Sequence, residues 1–252
     1  MSIKEIFHEL ITNKNEIPLF NLIMEIKNSI PENQKIGKGI VWSLRQVRMQ
    51  VLKEVPLDLQ KRSLEILISS NLWQIRKFTA FLASSCARIE NSIVFYIDFV
   101  RKAANDPHFG VRESAQMALR ELLQVFPDQI ILVYKKWILD SNEFTRRCVS
   151  ESLRPVLVNG RNWIREKPDK AIEILKYINR DPSLYVRKSV GNNLSDISRR
   201  NPELVLKTLR EWLLENDYDK RTLFIARKAC RNIVKNNPKD VNKLLRGSSI
   251  IR

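Results

Sequence analysis

An all-α solenoid of stacked helix pairs is the fold this sequence predicts, on three observations. Helical periodicity of apolar residues runs along most of the 252 residues, and few β-branched alternations interrupt it. One segment pattern also restarts at intervals of 34 to 41 residues. With 44% hydrophobic residues and only 6 glycines, the chain can bury a large core. No apolar run approaches the roughly 18 residues that would cross a bilayer.

Taken in order, the opening "MSIKEIFHEL" sets Ile3, Ile6, Phe7 and Leu10 on one helical face with charges between them. That is an amphipathic helix and not a signal peptide. From residue 71 a repeat is visible. The segments "NLWQIRKFTAFLASS" (71–85), "NDPHFGVRESAQMALREL" (105–122), "LDSNEFTRRCVSESLRPV" (139–156), "RDPSLYVRKSVGNNLSDI" (180–197) and "RTLFIARKACRNIVKNN" (221–237) align on Arg76, Arg112, Arg146, Arg187 and Arg227. Their spacings are 36, 34, 41 and 40. Between the later copies lie "PDQIILVYKKWIL", "PDKAIEILKYI", "PELVLKTLREWLL" and "PKDVNKLL". Proline suits the first helical position because its missing N–H has no helical partner there. Each unit is thus a helix pair of about 35 to 40 residues, the size of a HEAT or armadillo repeat. Such repeats stack around a continuous core and offer a concave binding surface. A single HEAT-like domain over 1–252 is expected, with its repeats clearest over 71–245.

The alignment sorts residues by face. Three and seven positions after the shared arginine stand Ala115 and Leu119, Val149 and Leu153, Val190 and Leu194, Cys230 and Val234, a packed seam. Five and nine positions after it stand Met117 and Glu121, Glu151 and Pro155, Asn192 and Asp196, Asn232 and Asn236. These predict a polar strip holding Glu121, Glu151 and Asp196, bordered by Arg147, Lys188 and Lys228. Along 181–205 the seam reads Val186, Val190, Leu194 and Ile197, and Tyr185, Ser189, Asn192 and Asp196 form a separate edge. Asn192 and Asn193 are poor helix formers, and their place beside Gly191 predicts the close approach of another group.

Asp106–Arg112, Asp140–Arg146 and Asp181–Arg187 share a six-residue spacing, which predicts an Asp/Arg ladder between repeats with each Asp as a helix N-cap. Glu151 stands four residues from Arg147 and three from Arg154, where ion pairs along one helix form. Lys188, Lys228, Arg199, Arg200 and Arg231 have no such duty, which leaves them for phosphate contact. Trp42, Trp73, Trp137 and Trp212 are expected in the core. Trp163 lies in the polar stretch "NGRNWIREKPDK", where it can stack or meet a cation.

Net charge is +16 and unevenly placed. Residues 1–140 hold 19 Lys and Arg against 15 Asp and Glu, and residues 141–252 hold 25 against 13. A basic C-terminal half attracts polyanions, of which nucleic acid is the commonest, although an acidic protein or an anionic membrane surface would answer the same charge. Cys86, Cys148 and Cys230 are odd in number and far apart, which fits a reducing, cytoplasmic setting. There is no phosphate-binding glycine loop, no HExxH and no paired CxxC, and His8 and His108 are the only histidines. This argues against a histidine triad or a zinc site, and no metal or cofactor is expected.

The stretches "RRCVSESLRP" (146–155) and "DPSLYVRKSVGNNLSDISRRNPELVLKTLREWL" (181–213) resemble the HEAT-like DNA alkylation-repair glycosylases of the AlkC/AlkD superfamily, closer to AlkC. The family pattern is RR-x-x-SEG-x-RP, then DPSxYVRKSVANxLNDI, then a helix ending in tryptophan. The likeness is good over about 145–215 and stays in register to about 245. It implies excision of cationic alkylated purines, such as 3-methyladenine or 7-methylguanine, from double-stranded DNA. An acidic side chain would stabilise the oxocarbenium-like sugar and position water, without the deep base-flipping pocket most glycosylases use. Carried over by position, Glu151 falls on the acid of the SEG-x-RP stretch and Asp196 on the Asp of the LND motif.

The sequence departs from the pattern in three places. "VLVNGRNW" replaces a Pro-Trp element and displaces the tryptophan to Trp163, Arg227-Lys228 replaces an Arg-His pair, and Gly191 replaces an alanine. The resulting expectation is a monomer, cytoplasmic and nucleoid-associated if bacterial, without membrane contact. Its catalytic residues would be Glu151, Asp196 and Trp163. It would hold DNA with alkylated bases through Arg147, Arg154, Lys188, Asn192, Arg199, Arg200, Lys228 and Arg231. The alternative is a non-catalytic HEAT-repeat protein that binds bent, branched or damaged DNA. A protein–protein scaffold is the third reading, which the excess of Lys and Arg disfavours.

Overall fold

The computed structural model describes residues 1–34, 36, 38–156, 160 and 162–246. Part of the "VLVNGRNW" departure and the end of the expected 1–252 domain therefore lie outside the described residues. Among those described there are 15 α-helices and no strand, in agreement with the all-α expectation. The chain forms two compact units, Met1–Val125 and Phe126–Arg252.

The first unit comprises α1 (Ile3–Asn13), α2 (Ile17–Asn28), α3 (Ile40–Glu54), α4 (Leu57–Ile68), α5 (Trp73–Ile89), α6 (Ile97–Ala104) and α7 (Phe109–Leu123). Ser2 and Glu5 close a capping box at the start of α1, and Ile3, Ile6, Phe7 and Leu10 are buried as the spacing predicts. The core centres on α5, which packs on both α4 and α7 and buries Phe78, Phe81 and Leu82.

In the second unit are α8 (Pro127–Trp137), α9 (Glu143–Ser152), α10 (Trp163–Glu166), α11 (Pro168–Leu175), α12 (Leu184–Ile197), α13 (Pro202–Glu215), α14 (Lys220–Ala229) and α15 (Pro238–Leu245). All four proline-led segments start their helices on the proline itself. Helix α12 packs between α9 and α14, with Val186, Val190, Leu194 and Ile197 all buried. Val234 departs from the expected seam. Helix α14 stops at Ala229 and the chain continues into a 3-10 turn at Ile233–Lys235, so Ile233 turns inward and Val234 is 38% exposed.

Trp137 and Trp212 are core residues, but Trp42 and Trp73 are half-buried. Trp42 lies under the Lys38 ammonium at 5.5 Å, and Trp73 stacks on His108 with ring centroids 4.2 Å apart. Both occupy helix starts, where one ring face has no inner neighbour.

The arginine ladder exists, with a division of labour that spacing does not disclose. Nη1 of four of the five aligned arginines donates to the carbonyls five and six residues before it: Arg76 to Ser70 and Asn71, Arg112 to Asp106 and Pro107, Arg146 to Asp140 and Ser141, Arg187 to Asp181 and Pro182. In Arg76 and Arg146 the rest of the fork reaches the following repeat. Arg76 clasps Asp106 at 2.6 and 3.1 Å, and Arg146 clasps Asp181 at 2.7 and 2.9 Å. The N-caps are His108, Asn142 and Ser183 rather than the aspartates. Each Asp instead accepts the backbone N–H of that cap residue, which sets the turn entering the helix.

Cys86, Cys148 and Cys230 are buried and outside any disulfide. Burial, with a further push from Glu90, raises the Cys86 thiol to about 12. Burial raises Cys230 to about 11. Since the thiolate is the nucleophile, Cys86 and Cys230 should resist iodoacetamide in the native protein at pH 8 and react after denaturation. Mass spectrometry of the alkylated chain checks this, and rapid native labelling of either residue would contradict it.

Candidate nucleic-acid interface and carboxylate site

Helices α9 and α12 bring Glu151 and Asp196 to one arginine. Arg154, in the turn that ends α9, donates from Nε and Nη2 to Oδ2 of Asp196 at 2.8 and 2.5 Å, and from Nη1 to Oε2 of Glu151 at 3.2 Å. Burial works against the charge on Arg154, but Asp196 and Glu151 outweigh it and hold the guanidinium above its ordinary range. Arg147 meets Oε1 of Glu151 at 3.2 Å, and its guanidinium lies 4.0 Å from the centre of the Tyr185 ring. The ion pairs expected along α9 are therefore both present. Arg147 and Arg154, both expected to hold DNA, thus share their charge with these carboxylates.

The two acids differ in what they face. Glu151 is 5% exposed and covered by its guanidinium partners. The Asp196 side chain is 15% exposed, and its Oδ1 lies 3.9 Å from Arg199. Asp196 also lines a cavity of about 530 Å³ together with Arg154, Pro155, Val156, Ile164 and Arg165, and with Arg199, Arg200 and Asn201. Oδ2 of this carboxylate is thus fixed by a charged donor pair, and the side chain belongs to a pocket wall. Glu121, the third acid of the expected strip, is an anchor within the first unit, where it accepts from Arg48 at 2.8 Å and Ser84 at 3.0 Å.

Trp163 is not among the residues lining this pocket. It opens the short helix α10, with the Lys167 ammonium 5.4 Å from its ring centre, while Ile164 and Arg165 reach the cavity wall. Trp163, expected in the catalytic set, thus stands next to the residues of the cavity wall and not in its lining. Asn162 caps α10 and donates to the carbonyl of Val156, and Arg165 Nε donates to that of Pro155 at 3.1 Å. Arg165 escaped the sequence reading because its contact joins residues ten apart, a separation that helical spacing does not pair.

The polar turns of α12 are mostly bound to neighbouring helices. Ser189 is fully buried and donates to Ser150 Oγ at 2.9 Å, so it interrupts the expected edge of Tyr185, Asn192 and Asp196. Asn193, also buried, donates to the Ser150 carbonyl at 2.7 Å. Asn192 accepts from Arg231 at 3.0 Å, and Arg231 and Asn232 both donate to Ser195 Oγ at 2.9 Å. Arg231 and Asn192 therefore have a structural duty between α14 and α12. Lys188 and Arg200 are exposed and carry no ion pair among the described residues. Lys228 is half-buried and likewise unpaired in charge.

The group that approaches Gly191 is Lys228. A Cβ at Gly191 would stand 2.8 Å from Lys228 Cβ and 3.0 Å from its Cγ and Cδ. Two departures from the family pattern, Gly191 and Lys228, thus meet in one contact. Gly191→Ala should lower stability by about 1 to 3 kcal/mol through overpacking of α12 on α14. Adding Lys228→Ala should not restore it, because alanine keeps the clashing Cβ. Urea unfolding of the two variants tests this, and an unchanged midpoint for Gly191→Ala would overturn it.

This helical-repeat architecture is shared with the DNA alkylation repair proteins. A profile of the DNA alkylation repair enzyme family matches residues 41–233, and the chain belongs to that family. It is 34% identical over 133 residues to the protein YhaZ of Bacillus subtilis (strain 168), a match spanning 52% of this chain and 36% of YhaZ's length. Among solved structures it is similar to Pseudomonas fluorescens alkylpurine DNA glycosylase AlkC bound to DNA containing an abasic site analog. The TM-score is 0.63 at 24% identity, over 97% of this chain and 68% of AlkC. It is also similar to AlkD2 from Streptococcus mutans, with a TM-score of 0.66 at 24% identity over 84% of this chain and 98% of AlkD2. These two likenesses establish the helical-repeat fold. No described helix is long and apolar enough to cross a membrane.

Proposed function

We propose that the protein excises cationic alkylated purines from duplex DNA. The observation that carries this reading is the carboxylate of Asp196, clasped by Arg154 through Oδ2 and set in the wall of the pocket. A purine alkylated at N3 or N7 is positively charged. As the N-glycosidic bond breaks, its electron pair goes to the base, which leaves neutral, and the sugar becomes the cation. A fixed anion at that point stabilises charge that exists only in the transition state. Water then adds its oxygen to C1′ and loses a proton, leaving an abasic site. Arg154 keeps the carboxylate in place while leaving it one oxygen to use, and Glu151 holds Arg154 from behind.

DNA would lie over the basic surface of the second unit, with Lys188, Lys228, Arg199 and Arg200 as the cations open to phosphate. The relevant assay is release of free 3-methyladenine and 7-methylguanine from methylated duplex DNA, read by chromatography. No release by the wild-type protein would reject the glycosylase reading.

The alternative, DNA binding without excision, has one observation in its favour. Both acids face two guanidinium groups, Glu151 those of Arg147 and Arg154 and Asp196 those of Arg154 and Arg199, so neither is an uncompensated negative charge. On that reading, salt-sensitive DNA binding would be lost in Lys188→Glu with Lys228→Glu while no base is released.

A further inference from the structure

The second unit carries an exposed apolar and basic surface that the DNA reading leaves unused. Glu151 and Asp196 stand on α9 and α12, the second helices of their pairs. On the first helices, Leu132, Lys135 and Lys136 share the exposed face of α8 at spacings of three and four, and Leu139 follows just past its end. Leu132 and Leu139 are each 66% exposed, and Tyr177, in the 3-10 turn that follows α11, is 60% exposed. Between these elements lies a hollow of about 490 Å³, walled by Lys135, Glu173, Ile174, Lys176 and Tyr177. It shares no residue with the pocket that Asp196 lines.

Large exposed apolar side chains grouped beside a hollow mark an interaction surface, and the charge there selects the partner. Glu173 is paired with Lys170 at 3.0 Å and Lys176 with Glu215 at 2.8 Å. Lys135 and Lys136 are exposed and carry no ion pair among the described residues, so the uncompensated charge at the hollow is positive. Nucleic acid would answer those two cations but leave Leu132, Leu139 and Tyr177 without an apolar partner. We propose that this surface docks an acidic segment of another protein that carries a bulky apolar side chain. That side chain enters the hollow against Ile174 and Tyr177, and the flanking carboxylates meet Lys135 and Lys136. Docking on the first helices leaves the carboxylate site on α9 and α12 open. The inference stands independently of the glycosylase reading.

The test is fluorescence anisotropy at low salt with a labelled peptide, a short run of aspartates interrupted by one phenylalanine. Wild type should bind it, and Kd should rise about tenfold when serine replaces the phenylalanine or asparagines replace the aspartates. Lys135→Ala/Lys136→Ala and, separately, Tyr177→Ala should weaken binding by about as much. All three side chains are exposed, so thermal unfolding and duplex DNA affinity should stay close to wild type. No peptide binding by wild type, or equal binding by the variants, overturns the proposal. A parallel loss of DNA affinity in the variants overturns it too, because the surface would then belong to the DNA contact. Vesicles of phosphatidylserine and phosphatidylcholine replace the peptide in a last arm, and vesicle binding that the same variants abolish overturns it in favour of a lipid surface.

Discussion

Asp196→Asn should lower the rate of alkylpurine release by about 100-fold or more, the size of effect seen when one preorganised electrostatic group is lost from an active site. Its DNA affinity and thermal unfolding should stay close to wild type. Asparagine keeps an oxygen for Arg154, so the fold survives, but it carries no negative charge for the sugar cation. Glu151→Gln should behave differently. Glu151 is buried against Arg147 and Arg154, and loss of its charge takes the carboxylate partner from Arg147 and leaves Arg154 with Asp196 alone. Stability should fall by about 1 to 3 kcal/mol, and release should fall with it as Arg154 loses its fixed position. Single-turnover kinetics beside a melting curve separates the two cases. Wild-type release that persists in both variants would dismiss the carboxylate assignment.

Asp181→Ala should be the most damaging single change to the fold of the second unit, at about 3 kcal/mol or more. The Asp181 side chain is 1% exposed. It accepts two bonds from Arg146 and the N–H of Ser183 at the entry to α12. Its removal strands a nearly buried guanidinium and loosens the turn that starts the site helix. Lys170→Ala, which breaks an exposed pair with Glu173, should change nothing measurable, because solvent already screens that pair. Chemical unfolding of the two variants makes the comparison. A loss below about 1 kcal/mol in Asp181→Ala would show that the ladder is not a stabilising element.

Much of the fold was legible because it rests on short-range chemistry. Proline at the first helical position, an apolar seam at spacings of three and four, and arginines recurring every 34 to 41 residues all act within one helix or one turn. Expectations failed where a helix ended early, as at Val234, or where a side chain met a different helix. Ser189 follows the spacing of a surface edge, yet it is buried because α9 presents Ser150 to it. Trp163 stands in a polar segment, as a lesion-contacting residue would, but the turn into α10 gives its ring to Lys167 and the cavity wall to Ile164 and Arg165.

By itself the sequence determined the helices, their pairing into repeats, the basic character of the C-terminal half and the two carboxylates worth watching. Only the tertiary structure set the different surroundings of those carboxylates. Glu151 and Asp196 hold equivalent interest in the repeat alignment, but one is buried under two arginines and the other lines a cavity. The reason is that the deciding contacts are long in sequence. Arg154 and Asp196 are 42 residues apart, Arg146 and Asp181 are 35, and Ser150 and Asn193 are 43. Helical periodicity states which face a residue occupies, whereas the packing of one helix on the next sets which partner and how much solvent that face meets.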